Sequence, residues 1–196
     1  MTAEMTRLRV DARENRDRIL AAASELFAER GLDVGMRDVA RRAGVGPATL
    51  YRRFPTRQAL IDEALAAEFD ACRRIVEDAC AEQDAWRGFS VAIRRLMVLN
   101  ARNRGLVDAL VSTVPPSALA EHRRDLLQQL AGVARRAQED GDLRPDFVPS
   151  DLILVLSAAR GVSAPAPQRE HAATRFAELA LDALRAHPAP AASSGE

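Results

Sequence analysis

Residues 37–57, RDVARRAGVGPATLYRRFPTR, hold six arginines against one aspartate, with two threonines and a tyrosine among them. Guanidinium forks interleaved with hydroxyls suit an extended polyanion. Arg pairs side by side with phosphate oxygens or a guanine edge, and Thr and Tyr hydroxyls donate to phosphates. Here Arg52 and Arg53 supply forks, and Thr49 and Tyr51 supply hydroxyls. Gly46, Pro47 and Ala48 are small and open a short helix, so its first turn can lie against base edges. Arg37 and Arg57 fall in the first turns of the flanking helices, with Arg42 and Thr56 nearby, and can clamp a phosphate backbone from both sides. Helix N-termini add their own partial positive charge.

Such a set works only if two short helices cross at a fixed angle. In MRDVARRAGVGPATLYRRF, Val39 and Leu50 take the inward positions, Ala40 is small at the crossing, and Gly44 supplies the turn. The first short helix is expected over 37–43, and the second begins at Gly46 or Pro47, where proline at the first helical position is favourable. Pro55 stops it, and Thr56 can cap the next helix. Before them, ENRDRILAAASELFAERG carries a stripe of Ile19, Leu20, Ala23, Leu26 and Phe27, ended by Gly31. The spacing therefore describes a helix-turn-helix whose second helix enters a DNA major groove.

Helical periodicity continues to the end of the chain, and the fold class is all-α. One long helix is expected from Arg57 to about residue 81, linking two domains. Further helices are expected over 84–103, 105–112, 117–139, 150–161 and 168–186, broken by the prolines at 115–116 and by GDLRPDFVPSD. Residues 1–12 read as a flexible arm and 188–196, rich in Pro, Ala and Ser, as a disordered tail. DLILVLSAA bears no charge after Asp151, so it must be buried in protein on nearly all sides. With Leu152, Val155 and Leu156, it joins a stripe of Phe176, Leu179, Ala180, Ala183 and Leu184 on the last helix. The remaining partner for these faces is a second copy of the chain, giving a four-helix interface.

The 28 basic residues, all arginine, balance 28 acidic ones, so attraction to nucleic acid has to come from uneven distribution. Residues 1–60 hold 12 Arg against 8 acids, net +4, which leaves 16 against 20, net −4, for the rest. An apolar content of 47% fills a sizeable core. No signal peptide or span of about 20 apolar residues is present, which points away from the membrane and to the cytoplasm. Cys72 and Cys80 lie eight residues apart on one helix, out of bridging reach, and read as reduced packing residues. A helical-bundle enzyme would need paired carboxylates or a metal cluster, yet His122, His171 and His187 form no metal-ligand array, so neither an enzyme nor a cofactor or metal site is expected.

From RILAAASELF through TLYRRFPTRQALIDEAL, over residues 13–65, the sequence resembles the DNA-binding domain of the TetR family of bacterial transcription regulators. The match rests on Leu26-Phe27, Asp38-Val39-Ala40, Ala43-Gly44-Val45, Thr49 to Phe54, and Arg57. Two positions depart from it: Gly35-Met36 replaces the usual Thr or Ser cap of the second helix, and Gly46 stands where serine is common. The resemblance implies a homodimer that binds a double-stranded palindromic operator, usually as a repressor, and lets go when a small-molecule effector enters the C-terminal domain, residues 66–187. It places the effector cavity around Phe69, Cys72, Trp86, Phe89, Arg94, Met97, Asn100, Val111 and His122. The competing reading is a helical interaction or ligand-binding protein that has lost operator binding, against which the six arginines argue.

Overall fold

A computed structural model describes residues 2–111, 118–158, 161 and 168–186, with side chains from Arg13 onward except those of 110, 111 and 118. It contains ten helices over those residues: α1 (Thr2–Arg30), α2 (Met36–Ala43), α3 (Pro47–Arg53), α4 (Arg57–Ala64), α5 (Ala66–Ala81), α6 (Ala85–Arg102), α7 (Arg104–Val111), α8 (Ala118–Glu139), α9 (Pro149–Ala158) and α10 (Arg169–Leu184). Among the described residues the only bridge between extended segments pairs Leu143 with Arg185, and no helix is long and apolar enough to cross a membrane. The tail 188–196 lies outside the described residues.

α1 starts at Thr2, well before the apolar stripe; residues 2–13 contain neither Gly nor Pro, so nothing in the backbone interrupts the helix. It ends at Gly31, whose φ of 79° needs a residue without Cβ. Ile19, Ala23, Leu26 and Phe27 from α1 meet Val39 and Ala40 of α2, Leu50 and Phe54 at α3, and Leu60 of α4 in one buried cluster. These four helices form the N-terminal unit.

The long helix expected from Arg57 to 81 is two helices. Leu65, at φ −102° and ψ 3°, turns the chain between α4 and α5. No Gly or Pro marks the break. Tertiary contacts make it: Leu65 is fully buried, and Ser24 Oγ on α1 donates to the Ala64 carbonyl at 3.0 Å, satisfying a group that a continuous helix would have used.

Beyond it, α5, α6 and α8 pack on one another, α10 lies along α6, and α9 covers the α6–α8 end. α5 and α6 approach so closely that a Cβ at Gly88 would stand 2.7 Å from the Ala79 carbonyl oxygen. The GDLRPDFVPSD break is a built loop. Gln138 Nε2 donates to the carbonyls of Arg144, Pro145 and Phe147, Phe147 packs edge-on against Phe89, and Arg144 N–H donates to the last carbonyl of α10, Leu184. α1 also packs on α7. There the Leu32 N–H donates to Asp108 Oδ2 at 2.9 Å, and a Cβ at Gly105 would stand 2.8 Å from the Phe27 Cβ. That contact joins the N-terminal unit to the rest.

Candidate DNA-binding interface

α2 closes at Gly44, whose left-handed φ of 65° lets its N–H reach the carbonyls of Ala40 and Arg41. The chain then enters α3 through Gly46 in an extended conformation, with Pro47 at the first helical position. Leu50 and Phe54 are buried, which anchors one side of α3 and leaves the other to solvent. On the open side lie Gly46, Pro47, Ala48 and Arg52, and Tyr51 at 49% exposure; Thr49 and Arg53 are half-buried at its edges. Arg37 is exposed in the first turn of α2 and Arg57 in the first turn of α4, whose cap is Thr56: its hydroxyl accepts from the Ala59 N–H at 3.1 Å.

The arginines divide into two groups. Arg42 donates to Glu25 on α1 at 2.9 and 3.2 Å and reaches Glu29, and Arg41 pairs with Asp38. Among the described residues Arg37, Arg52, Arg53 and Arg57 have no carboxylate within ion-pair distance, and Arg53 Nε is buried with no acceptor. Those four cations flank the open face of α3. Arg42 was expected in the same set; its guanidinium is directed at α1 instead, because α2 packs with this edge against the acidic side of that helix. Sequence reasoning missed Arg16. It bonds Glu63 at 2.6 Å and lies 5.0 Å over the Phe54 ring, holding α1, the end of α3 and α4 together. Partners 38 and 47 residues away leave no local sequence signal.

In the C-terminal half, Phe69, Cys72, Phe89, Met97 and Asn100 are buried between α5, α6 and their neighbours. Burial, and then the Glu68 carboxylate, push the Cys72 thiol up to about 12. Trp86 is half-buried, its ring 6.1 Å from that of Phe89 and covered by the Arg185 guanidinium. Arg94 makes a two-pronged bond to Glu178 on α10 at 2.7 and 3.0 Å. His122 is exposed on α8, and the Val111 side chain lies outside the described ones. Asn100 Nδ2 reaches the Leu156 carbonyl at 3.5 Å, while Asn100 Oδ1 and Glu68 Oε2 are buried without a donor. The faces expected to meet a second copy are mixed. Leu152, Leu156 and Leu184 are buried in this chain's own core, Val155, Phe176 and Ala180 are half-buried, and Leu179 and Ala183 are exposed. Leu154, which periodicity did not single out, is 67% exposed.

Two family models match. Residues 19–64 fit bacterial regulatory proteins of the tetR family, and residues 81–186 fit the C-terminal domain of SbtR-like transcriptional regulators. The chain belongs to the TetR family. An HTH-type transcriptional regulator of Staphylococcus aureus is 38% identical over 64 residues, 32% of this chain, and the chain spans only about a third (35%) of that relative's length. Among solved structures, the TetR transcriptional regulator SCO0520 of Streptomyces coelicolor is 34% identical with a TM-score of 0.56, over 88% of this chain and 99% of that one. The ketosteroid transcriptional regulator KstR2 of Mycobacterium tuberculosis, at 18% identity and a TM-score of 0.60 over 88% and 95%, shares the fold.

As a TetR-family chain, the protein is a DNA-binding regulator of transcription with an N-terminal helix-turn-helix unit and a helical C-terminal domain. Its two departures at the DNA-binding unit are sterically open. A Cβ at Gly46 would meet nothing within 4 Å, and one at Gly35 would make only ordinary contact with Asp38 Oδ2 at 3.6 Å. Gly35 offers α2 no side-chain cap, which costs a few tenths of a kcal/mol against serine.

Proposed function

We propose that the protein is a homodimeric repressor that places α3 in successive major grooves of a palindromic operator and is displaced by a small-molecule effector. The observation that carries this reading is the open face of α3 with four unpaired arginines around it. In a chain of zero net charge, such a concentration is suited to phosphate and base contact. In this reading Pro47, Ala48 and Gly46 lie nearest the bases, Thr49, Tyr51 and Thr56 donate to phosphates, and Arg37, Arg52, Arg53 and Arg57 hold the backbone or a guanine.

Two α3 helices must stand about 34 Å apart to reach half-sites one turn apart, which requires two copies. Leu154 on α9 and Leu179 on α10, 67% and 50% exposed, with the half-buried or exposed Val155, Phe176, Ala180 and Ala183 of the same two helices, supply apolar surface for a second copy to cover. Effector action follows as a population shift. A molecule that binds better to a form with wrongly spaced α3 helices lowers operator affinity, and the α4–α5 turn at Leu65 and the α1–α7 contact carry the shift between units.

Footprinting on the DNA upstream of the protein's own gene tests this. Protection of two inverted half-sites by a dimer is expected. Uniform weak binding to unrelated DNA, or a monomer at micromolar concentration, would contradict it.

A further inference from the structure

Outside the bundle, where α5 meets α6, runs a groove of about 400 Å³. Its floor is apolar: Ala71 and Ile75 from α5, Val98 and Leu99 from α6. Four arginines stand around it, Arg74, Arg94, Arg95 and Arg102. Three are matched. Arg94 is bound to Glu178, Arg102 to Glu170 through two bonds of 2.8 Å, and Arg95 to Asp78 at 2.6 Å. Among the described residues Arg74 has no carboxylate within ion-pair distance, which leaves its guanidinium available beside an apolar trough.

We infer that this groove binds an amphipathic monoanion, a single carboxylate on a linear or flat apolar body of about 10–20 heavy atoms, with the carboxylate on Arg74. The volume fits such a body. The side chains of the floor are apolar, and the ligand's carboxylate supplies the partner that Arg74 lacks. The neighbouring ion pairs are open to solvent, which screens them, so Arg94 or Arg102 can turn toward the ligand without large loss. Arg94 was expected at an effector site; the expected neighbours Phe69, Cys72, Phe89 and Met97 are packed inside the bundle, whereas Arg94 opens onto this outer groove. The inference names the chemical class of the effector in the reading above and rests on that reading for its regulatory consequence. α5 and its turn at Leu65 then link the groove to α4 and the helix-turn-helix.

The test is calorimetric titration of the full chain, without DNA, with decanoate and with decylammonium, both below their micelle concentrations. Decanoate is expected to bind about tenfold or more tightly than decylammonium, and Arg74→Gln to weaken it about tenfold at unchanged melting temperature. Arg74→Lys should recover part of the affinity, and Arg87→Gln, farther along the same seam, should leave it unchanged. Equal binding of the two amphiphiles, or indifference to Arg74→Gln, would overturn the inference. So would a dimer that Val98→Arg dissociates in a protein that takes up no decanoate, which would assign the groove to a second copy. Operator binding by the ligand-free protein is measured separately. If it is absent, the repressor reading fails whatever decanoate does, and if it is present but indifferent to bound decanoate, the site stands and only its effector role is lost.

Discussion

At Gly31 two demands meet: its φ of 79° excludes side chains on backbone grounds, and a Cβ there would stand 2.3 Å from Asp108 Oδ2. Gly31→Ala is therefore expected to lower stability by about 1–3 kcal/mol in urea unfolding. A loss no larger than that of an ordinary surface substitution would mean that the α1–α7 contact yields easily. The cysteines differ as sharply. Cys72 is buried and its thiol is pushed up to about 12, whereas Cys80 is exposed. A thiol reagent at pH 8 should modify Cys80 in the native protein and reach Cys72 only on unfolding, as mass spectrometry would record. At this scale the sequence was most legible where one residue type has one physical use. Gly44 at the turn, Pro47 at the first position of α3, Thr56 as a cap and Leu50 facing inward are all where their chemistry demands. Pairing was not legible. Nothing local tells Arg42, bound to Glu25, from Arg52, which is unpaired, because the difference lies in which helix stands opposite.

At the scale of elements, helix placement followed the apolar periodicity, and the ends of α1, α2 and α3 followed Gly31, Gly44 and Pro55. The exception is instructive. At Leu65 the sequence ALIDEALAAEFD has every local preference for a continuous helix, and the break is made by packing of Leu65 and by a hydroxyl from Ser24, 40 residues earlier. α10 shows another long-range choice: its buried Ala173, Ala177, Leu181 and Leu184 face the core, and Arg94 with Glu178 and Arg102 with Glu170 tie its exposed edge to α6. The bonds to those arginines hold both Glu170 and Glu178 below the usual carboxylate range. Folded-state values below the unfolded ones contribute stability that is present above the ordinary carboxylate range and is lost as the pH falls through the depressed values. Glu170 is exposed and Glu178 half-buried, so solvent screens both pairs and the contribution is small. Replacing both by glutamine should lower thermal stability slightly at pH 7, leave it nearly unchanged below about pH 3, and so flatten its loss between pH 5 and about 3; an unaltered profile would show that the pairs add nothing to the folded state.

For the whole molecule, zero net charge conceals a division of labour between an arginine-bearing helix-turn-helix and a larger helical unit that α1 and α7 clasp to it. The N-terminal unit was legible because a helix-turn-helix is a local arrangement, with every determinant within some 40 residues. The C-terminal site was not, since apolar residues at helical spacing look alike whether they fill a core, as Phe89 and Met97 do, or floor a groove, as Val98 does. The central claim concerns the open face of α3. The measurement that tests it most directly is binding to DNA from upstream of the protein's own gene, followed across salt concentration, for the native protein and the Arg53→Ala and Tyr51→Phe variants. The account predicts binding that weakens steeply with salt, a loss of about 1–3 kcal/mol in Arg53→Ala with a shallower salt slope, and a smaller loss in Tyr51→Phe. Binding equal for unrelated DNA, and indifferent to both substitutions, would contradict it.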